Sequence, residues 1–130
     1  MTIQRSWFET YLAAFNANDY EKFGAYYAED MEFLGLSASL HGREAILDFY
    51  RSVEKKLVET VDLLSFVASD DMIAVEIRVT LDPLEDWPDF GPTPLVKGQR
   101  KQSLVFLFYD VADGQFTRIR SARFRRIEQD

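Results

Sequence analysis

His41, in the run "SLHGREA", is the one side chain of this sequence whose unperturbed pKa lies near neutrality, which makes it the first acid–base candidate. It sits just ahead of a helix-like segment, a place where polar residues also serve as caps or face solvent. Charged residues inside strand-like stretches are the next set: Glu32, Asp62, Glu76 and Arg78. Glu76 and Arg78 share a side with Thr80, opposite Ile73, Val75, Ile77 and Val79. That alternation puts them on an outer face, where cross-strand pairing accounts for them. Arg118 and Arg120 share a parity with Phe116 and Phe124, and could meet either an anionic substrate group or the acidic surplus of the chain. With no cysteine and a single histidine, thiolate chemistry, disulfides and a His-based zinc or iron site are not expected. No metal and no cofactor enter the reading.

One stretch has aromatic weight that a turn does not require. "DPLEDWPDFGPTPL", residues 82–95, holds all four prolines, Pro83, Pro88, Pro92 and Pro94, around Trp87 and Phe90. Prolines restrict a loop before it binds, so less entropy is lost when it closes. The stretch reads either as a lid over an apolar ligand or as a patch docked on another subunit.

The elements that must position these residues follow from periodicity. Ile3, Trp7, Phe8, Tyr11, Leu12 and Phe15 recur at three- and four-residue steps, the pattern of an amphipathic helix. "NAND" stops it, and Asn18 with Glu21 has capping-box spacing. A short second helix turns Phe23, Tyr26 and Tyr27 to one side, and "MEFLGL" reads as a brief strand. "HGREAILDFYRSVEKKL" is a third helix, with Phe49 and Tyr50 expected to face different ways, one to a pocket and one to the sheet. Strands follow at about 58–69 and 72–81, joined by "SDD", then at 96–109 and, through "DVADGQ", at 116–127. Helices first and strands last predict an α+β domain over residues 1–130, with helices on one face of a largely antiparallel sheet. "SLVFLFY", residues 103–109, is apolar on both faces. Helices cover one, so the other is expected to meet a second copy in a homodimer.

At 130 residues, 47% hydrophobic and 15% aromatic, the chain can build a sizeable core, and eleven Phe and six Tyr supply enough ring surface for a lined cavity. The net charge of −7 is unevenly placed: residues 1–117 carry a balance of −10, whereas the last thirteen residues hold five arginines and a balance of +3. An acidic body argues against nucleic acid as a partner. The start "MTIQRSWFETYLAAF" has neither a basic opening nor a long apolar run, so a cytoplasmic home and no membrane partner are expected.

The phrases "YLAAFNANDYEKFGAYYAED" and "GREAILDFY", with this order of elements, resemble the NTF2-like superfamily and in particular its SnoaL-like members. The resemblance implies a cone in which a curved sheet wraps around three helices and encloses a pocket, with dimers formed through the outer sheet face. The front half is most similar to the ketosteroid isomerases. Their oxyanion-hole tyrosine falls on Tyr11, and a tyrosine that supports it falls on Tyr50. Their general-base aspartate falls at about Gly35 and their second oxyanion donor near Val105, so the carboxylates are missing here. An Asp–Arg–Asp site like that of the family's epoxide hydrolases would need inward-facing residues.

The resulting expectation is a small-molecule pocket protein acting on an apolar cyclic or aromatic metabolite by proton transfer, as an isomerase, dehydratase or cyclase. Tyr11 and His41 are the catalytic candidates. Trp7, Phe15, Tyr27, Phe33, Phe49 and Tyr50, with Trp87 and Phe90 from the proline-rich stretch and Tyr109 from the long strand, are the ligand-binding candidates. The alternative is a non-catalytic binding protein of the same fold. An enzyme requires a buried titratable group within hydrogen-bond reach of Tyr11, whereas a binder requires only rings and hydroxyls.

Overall fold

The computed structural model describes residues 2–35, 38–90 and 94–127, which form three helices and six strands. α1 (Arg5–Asn16) buries Phe8, Tyr11, Leu12 and Ala14, the face its three- and four-residue spacing marks out. The chain then reverses at Asn18, whose φ of 55° is a left-handed conformation that asparagine tolerates. Because Asn18 makes the turn, the cap of α2 (Tyr20–Gly24) is its neighbour Asp19, which accepts the Lys22 N–H at 3.2 Å.

β1 (Tyr27–Leu34) starts four residues before "MEFLGL" would place it. Tyr26 and Tyr27 belong to the turn and the strand instead of to α2, because a distant strand recruits them: Phe116 N–H donates to the Tyr26 carbonyl at 2.6 Å. Leu36 lies outside the described residues. The three-residue β2 (Ser39–His41) pairs with β1 and is too short to leave a periodic signal. Gly42, at φ 93°, admits the sharp entry to α3 (Arg43–Glu54), which buries Ile46, Leu47 and Val53.

Four long strands complete the sheet: β3 (Leu57–Ala68), β4 (Met72–Pro83), β5 (Lys101–Ala112) and β6 (Gln115–Ile127). β5 begins five residues later than the sequence suggests, since a turn with Gly98 at φ 77° precedes it. The order is β2-β1-β6-β5-β4-β3, antiparallel throughout except for the parallel β1–β6 pair. Asp113 and Gly114, both at positive φ, form the tight β5–β6 turn. Register shifts at Leu63/Ser65, Leu104/Val105 and Asp110/Val111 break the ladders locally and bend the strands, giving the open, unclosed curve of an α+β cone.

Inside the curve, Phe8, Tyr11, Phe23, Tyr27, Met31, Ile46, Tyr109, Phe116 and Ile119 form one continuous aromatic-rich core. A second cluster joins Val53, Leu57 and Leu95, with Phe49, Leu81, Trp87 and Phe90 packed against it. On the outer face Arg78 pairs with Asp62 at 3.2 Å, while Ile73, Val75 and Ile77 are buried inside, as the alternation requires. The parity fails in β6: the shift after Phe116 sends that ring into the core, while Arg118 and Arg120 turn outward onto Asp110.

Candidate functional site

The cone leaves a cavity of about 190 Å³ between α1, α3 and the inner face of the sheet. Its walls are mostly rings and branched aliphatics: Tyr11, Leu12 and Phe15 from α1, Phe49, Tyr50 and Val53 from α3, and Val79, Leu81, Val105, Leu107 and Tyr109 from β4 and β5. Phe33 and Gly35 close one side, and Phe90 and Leu95 of the proline-rich segment close another.

Tyr11 projects from α1, where Phe8, Tyr26 and Phe116 fix its ring, with the Phe116 centroid 4.9 Å away. Its hydroxyl lies 2.8 Å from that of Tyr27, a fully buried phenol behind it. If Tyr27 donates in this pair, the Tyr11 proton is left to point at a ligand oxygen. Burial pushes the Tyr11, Tyr27, Tyr50 and Tyr109 phenols well above their ordinary pKa; Tyr50 and Glu59 add to the rise at Tyr11, and Glu59 adds to it at Tyr50. All four stay protonated at neutral pH and can serve only as neutral donors or acceptors.

Among the described wall residues Glu59, on β3, is the sole carboxylate. It shares the inward parity of Leu57 and Val61, both buried, so its carboxyl is directed between the helices and the sheet. No described side chain hydrogen-bonds to it, and desolvation alone pushes its pKa up to about 7. On its other side lies a cleft of about 10 Å³ bounded by Asn18, Phe23, Glu54 and Leu57, roughly room for one water. The carboxyl therefore changes charge near neutrality because of where it is, not because of what it is.

The sequence candidates divide clearly. Tyr11, Phe15, Phe33, Phe49, Tyr50, Phe90 and Tyr109 come together on the wall. Phe49 and Tyr50 both reach it, where one was expected to turn to the sheet, and their rings pack edge to face at 5.5 Å. Tyr27 stands behind Tyr11. Trp7 packs on Tyr26 and Phe116, away from the cavity. Trp87 packs on Phe90 at 4.7 Å under the Lys56 ammonium and pairs with Leu95 through two backbone hydrogen bonds of 2.9 Å. The proline-rich segment thus contributes a wall; Pro92 lies outside the described residues. His41 is exposed at the end of β2, opposite Glu32, and is not a wall residue.

Gly35 and Val105, where the isomerase carboxylates would fall, do line the wall but bring no acid. A Cβ at Gly35 would come within 2.5 Å of the Phe33 ring, so Phe33 fills the space an aspartate would use. Glu59 was missed in the sequence reading. The available signal was a carboxylate at the inward parity of Leu57, Val61 and Leu63. Glu59 puts a titratable group on the same wall as Tyr11, but the hydroxyl within hydrogen-bond reach of Tyr11 is that of Tyr27.

Residues 8–119 match the SnoaL-like domain family. The chain belongs to that family. Among solved structures it is similar to a candidate polyketide cyclase from Xanthomonas campestris pv. campestris, with 26% identity, a TM-score of 0.74, and 89% of this chain and 86% of that one covered. A candidate ketosteroid isomerase from Kribbella flavida shares 20% identity at a TM-score of 0.70, over 97% and 81% of the two chains. An LEH-like epoxide hydrolase from M. tuberculosis shares 17% identity at a TM-score of 0.73, over 91% and 80%. No curated protein matches in sequence. These likenesses establish the SnoaL-like cone. The Asp62–Arg78 pair lies on its outer face, so it does not form an inward Asp–Arg–Asp site. Among the described residues no helix is long and apolar enough to cross a membrane, and no three His, Cys, Asp or Glu side chains gather as a metal cluster.

Proposed function

We propose that this SnoaL-like protein is a cofactor-independent enzyme that moves a proton on an apolar, ring-bearing small molecule, with Glu59 as acid–base and Tyr11 as hydrogen-bond donor. The observation that carries the reading is a lone carboxyl, near neutral in pKa, on a wall otherwise made of rings, aliphatics, hydroxyls and a few cations. A general base works best when its pKa lies near the working pH, since it can then both take and return the proton. Removing a proton next to a carbonyl develops charge on that oxygen. A neutral phenol fixed in a dry wall stabilises that charge with little reorganisation. Tyr27 holds the Tyr11 phenol in place. The kinship with a candidate polyketide cyclase and a candidate ketosteroid isomerase supports chemistry of this kind.

The test needs no knowledge of the natural substrate. 2-Tetralone and related cyclic ketones are incubated in heavy water with wild type and Glu59→Gln, and loss of the α-proton signal is followed by NMR. Exchange faster than buffer in wild type, and at the buffer rate in Glu59→Gln, is the expected result. Ketones that bind without any faster exchange would leave the non-catalytic binding protein as the better reading. We also propose that the outer sheet face is covered by a second copy of the chain. It exposes Phe106 and Phe124, stacked at 5.1 Å, beside Phe108.

A further inference from the structure

The inner wall has a charge pattern that proton transfer alone does not explain. Lys101, Arg123 and Arg126 all line the cavity, against one carboxylate, Glu59, among the described wall residues. The ladder sets them on one face, with Arg123 four residues along β5 from Lys101, about 13 Å, and Ser103 between them. Val105 faces Arg123 and Ser103 faces Arg126 across β5–β6, and Lys101 stands two residues beyond Ser103 on the same side. The Ser103 and Ser121 hydroxyls lie on the same wall.

Elsewhere arginines are occupied. Arg5, Arg51, Arg78, Arg100, Arg118 and Arg120 pair with carboxylates, Arg43 donates to the Tyr27 carbonyl, and Arg125 lies over the Phe124 ring. Half-buried Lys101 and Arg123 have no such partner among the described residues. They are not there to serve Glu59 either: neither is within ion-pair distance of it, and burial raises Glu59 without a cation to offset it. In a chain of net charge −7, two uncommitted cations on one cavity wall form a local positive field that an anion would follow inward.

We propose that Lys101 and Arg123 hold a carboxylate of the ligand, so that the substrate is an amphiphile with an apolar ring inside and an anionic group at the end of the cavity where β5 begins. This rests on the proposed function and specifies its substrate class. Glu59, Leu81 and Lys101 occupy one row across β3, β4 and β5. Two strand spacings separate the backbones of the acid and the ammonium, about 10 Å. A carboxylate held between Lys101 and Arg123 leaves the ring to extend along that row toward Glu59. Arg123 offers the planar fork that suits a carboxylate, and Lys101 adds a point charge.

The experiment is isothermal titration of wild type and the Lys101→Ala/Arg123→Ala double variant with 2-naphthoate and with its methyl ester, which keeps the rings and removes the charge. Wild type is expected to prefer the acid by about tenfold or more at low salt, and the double variant to lose that preference while its ester affinity changes less than about twofold. Raising salt from about 50 to about 500 mM should weaken the acid and spare the ester. An ester bound as tightly as the acid by wild type, or a preference that survives in the double variant, overturns the carboxylate site while the proton-transfer reading stands. Failure of both compounds to bind wild type removes the ligand cavity itself, and the carboxylate site with it.

Discussion

Glu59 shows how surroundings change the chemistry open to a residue. His41 stands out in the sequence because its pKa is near neutral by identity, yet it is exposed. Glu59 has an ordinary carboxyl moved to about 7 by burial, which no single-sequence pattern displays. Its stability signature follows from the direction of that shift. The folded pKa is above the unfolded one of 4.5, so folding binds a proton. The protonated carboxyl's contribution is complete below about pH 4.5 and is lost as pH rises through about 7. Glu59→Gln removes this dependence. Compared with wild type, the variant should gain up to about 3 kcal/mol between about pH 5 and about pH 8, read from paired urea melts. Equal pH slopes for the two proteins would mean that Glu59 is solvated and is no acid–base at neutrality. Tyr11 permits a second comparison. Tyr11→Phe leaves the buried Tyr27 hydroxyl without its partner and should cost about 1–3 kcal/mol, whereas Tyr27→Phe leaves Tyr11 facing the cavity and should cost less. Denaturant midpoints in the opposite order would mean that Tyr11, not Tyr27, depends on the pair.

At the scale of elements, β3 is held by an amide that the sequence presents only as part of "NAND". Asn16, the last residue of α1, donates from Nδ2 to the Val61 carbonyl and accepts the Val61 N–H, both at 2.9 Å. β3 is an edge strand, and this side chain occupies part of its open edge two residues from Glu59. Asn16→Ala should cost about 1–2 kcal/mol, and should slow ketone exchange while leaving its pH midpoint in place, because the carboxyl is displaced and not removed. A variant as stable and as active as wild type would show that the clamp is dispensable. Elements of this kind were legible where a periodic run was long. α1, α3 and the four long strands emerge from spacing alone, and the two-sided run in β5 correctly separates inward Leu107 and Tyr109 from outward Phe106 and Phe108. Spacing fails where tertiary partners decide. β2 exists only as a partner of β1, and the shift in β6 changes which parity of arginines faces the cavity. The sequence draws attention to Arg118 and Arg120, whereas Arg123 and Arg126 are the ones on the wall.

For the whole molecule, the two faces of one sheet have different consequences. The inner face is enclosed by helices and by Phe90 and Leu95, and its cavity brings acid, phenols and cations together. The outer face keeps Phe106, Phe108 and Phe124 at 43%, 46% and 57% exposure, and no described element covers them. Three neighbouring phenylalanines on central strands are a larger apolar patch than isolated surface rings require, and a twofold contact would bury each of them twice. The flanking pairs Asp62–Arg78 and Asp110–Arg118 supply a polar rim of the kind that surrounds such contacts. Wild type should therefore sediment as a dimer at micromolar concentration, with a melting temperature that rises with protein concentration. Phe108→Glu places a charge on each side of the axis and should give a monomer that melts lower and no longer depends on concentration. The same substitution on a free surface would shift stability by no more than about 0.5 kcal/mol. A monomeric wild type, together with an unchanged melt for Phe108→Glu, would return this face to solvent and leave the cavity as the functional surface of the chain.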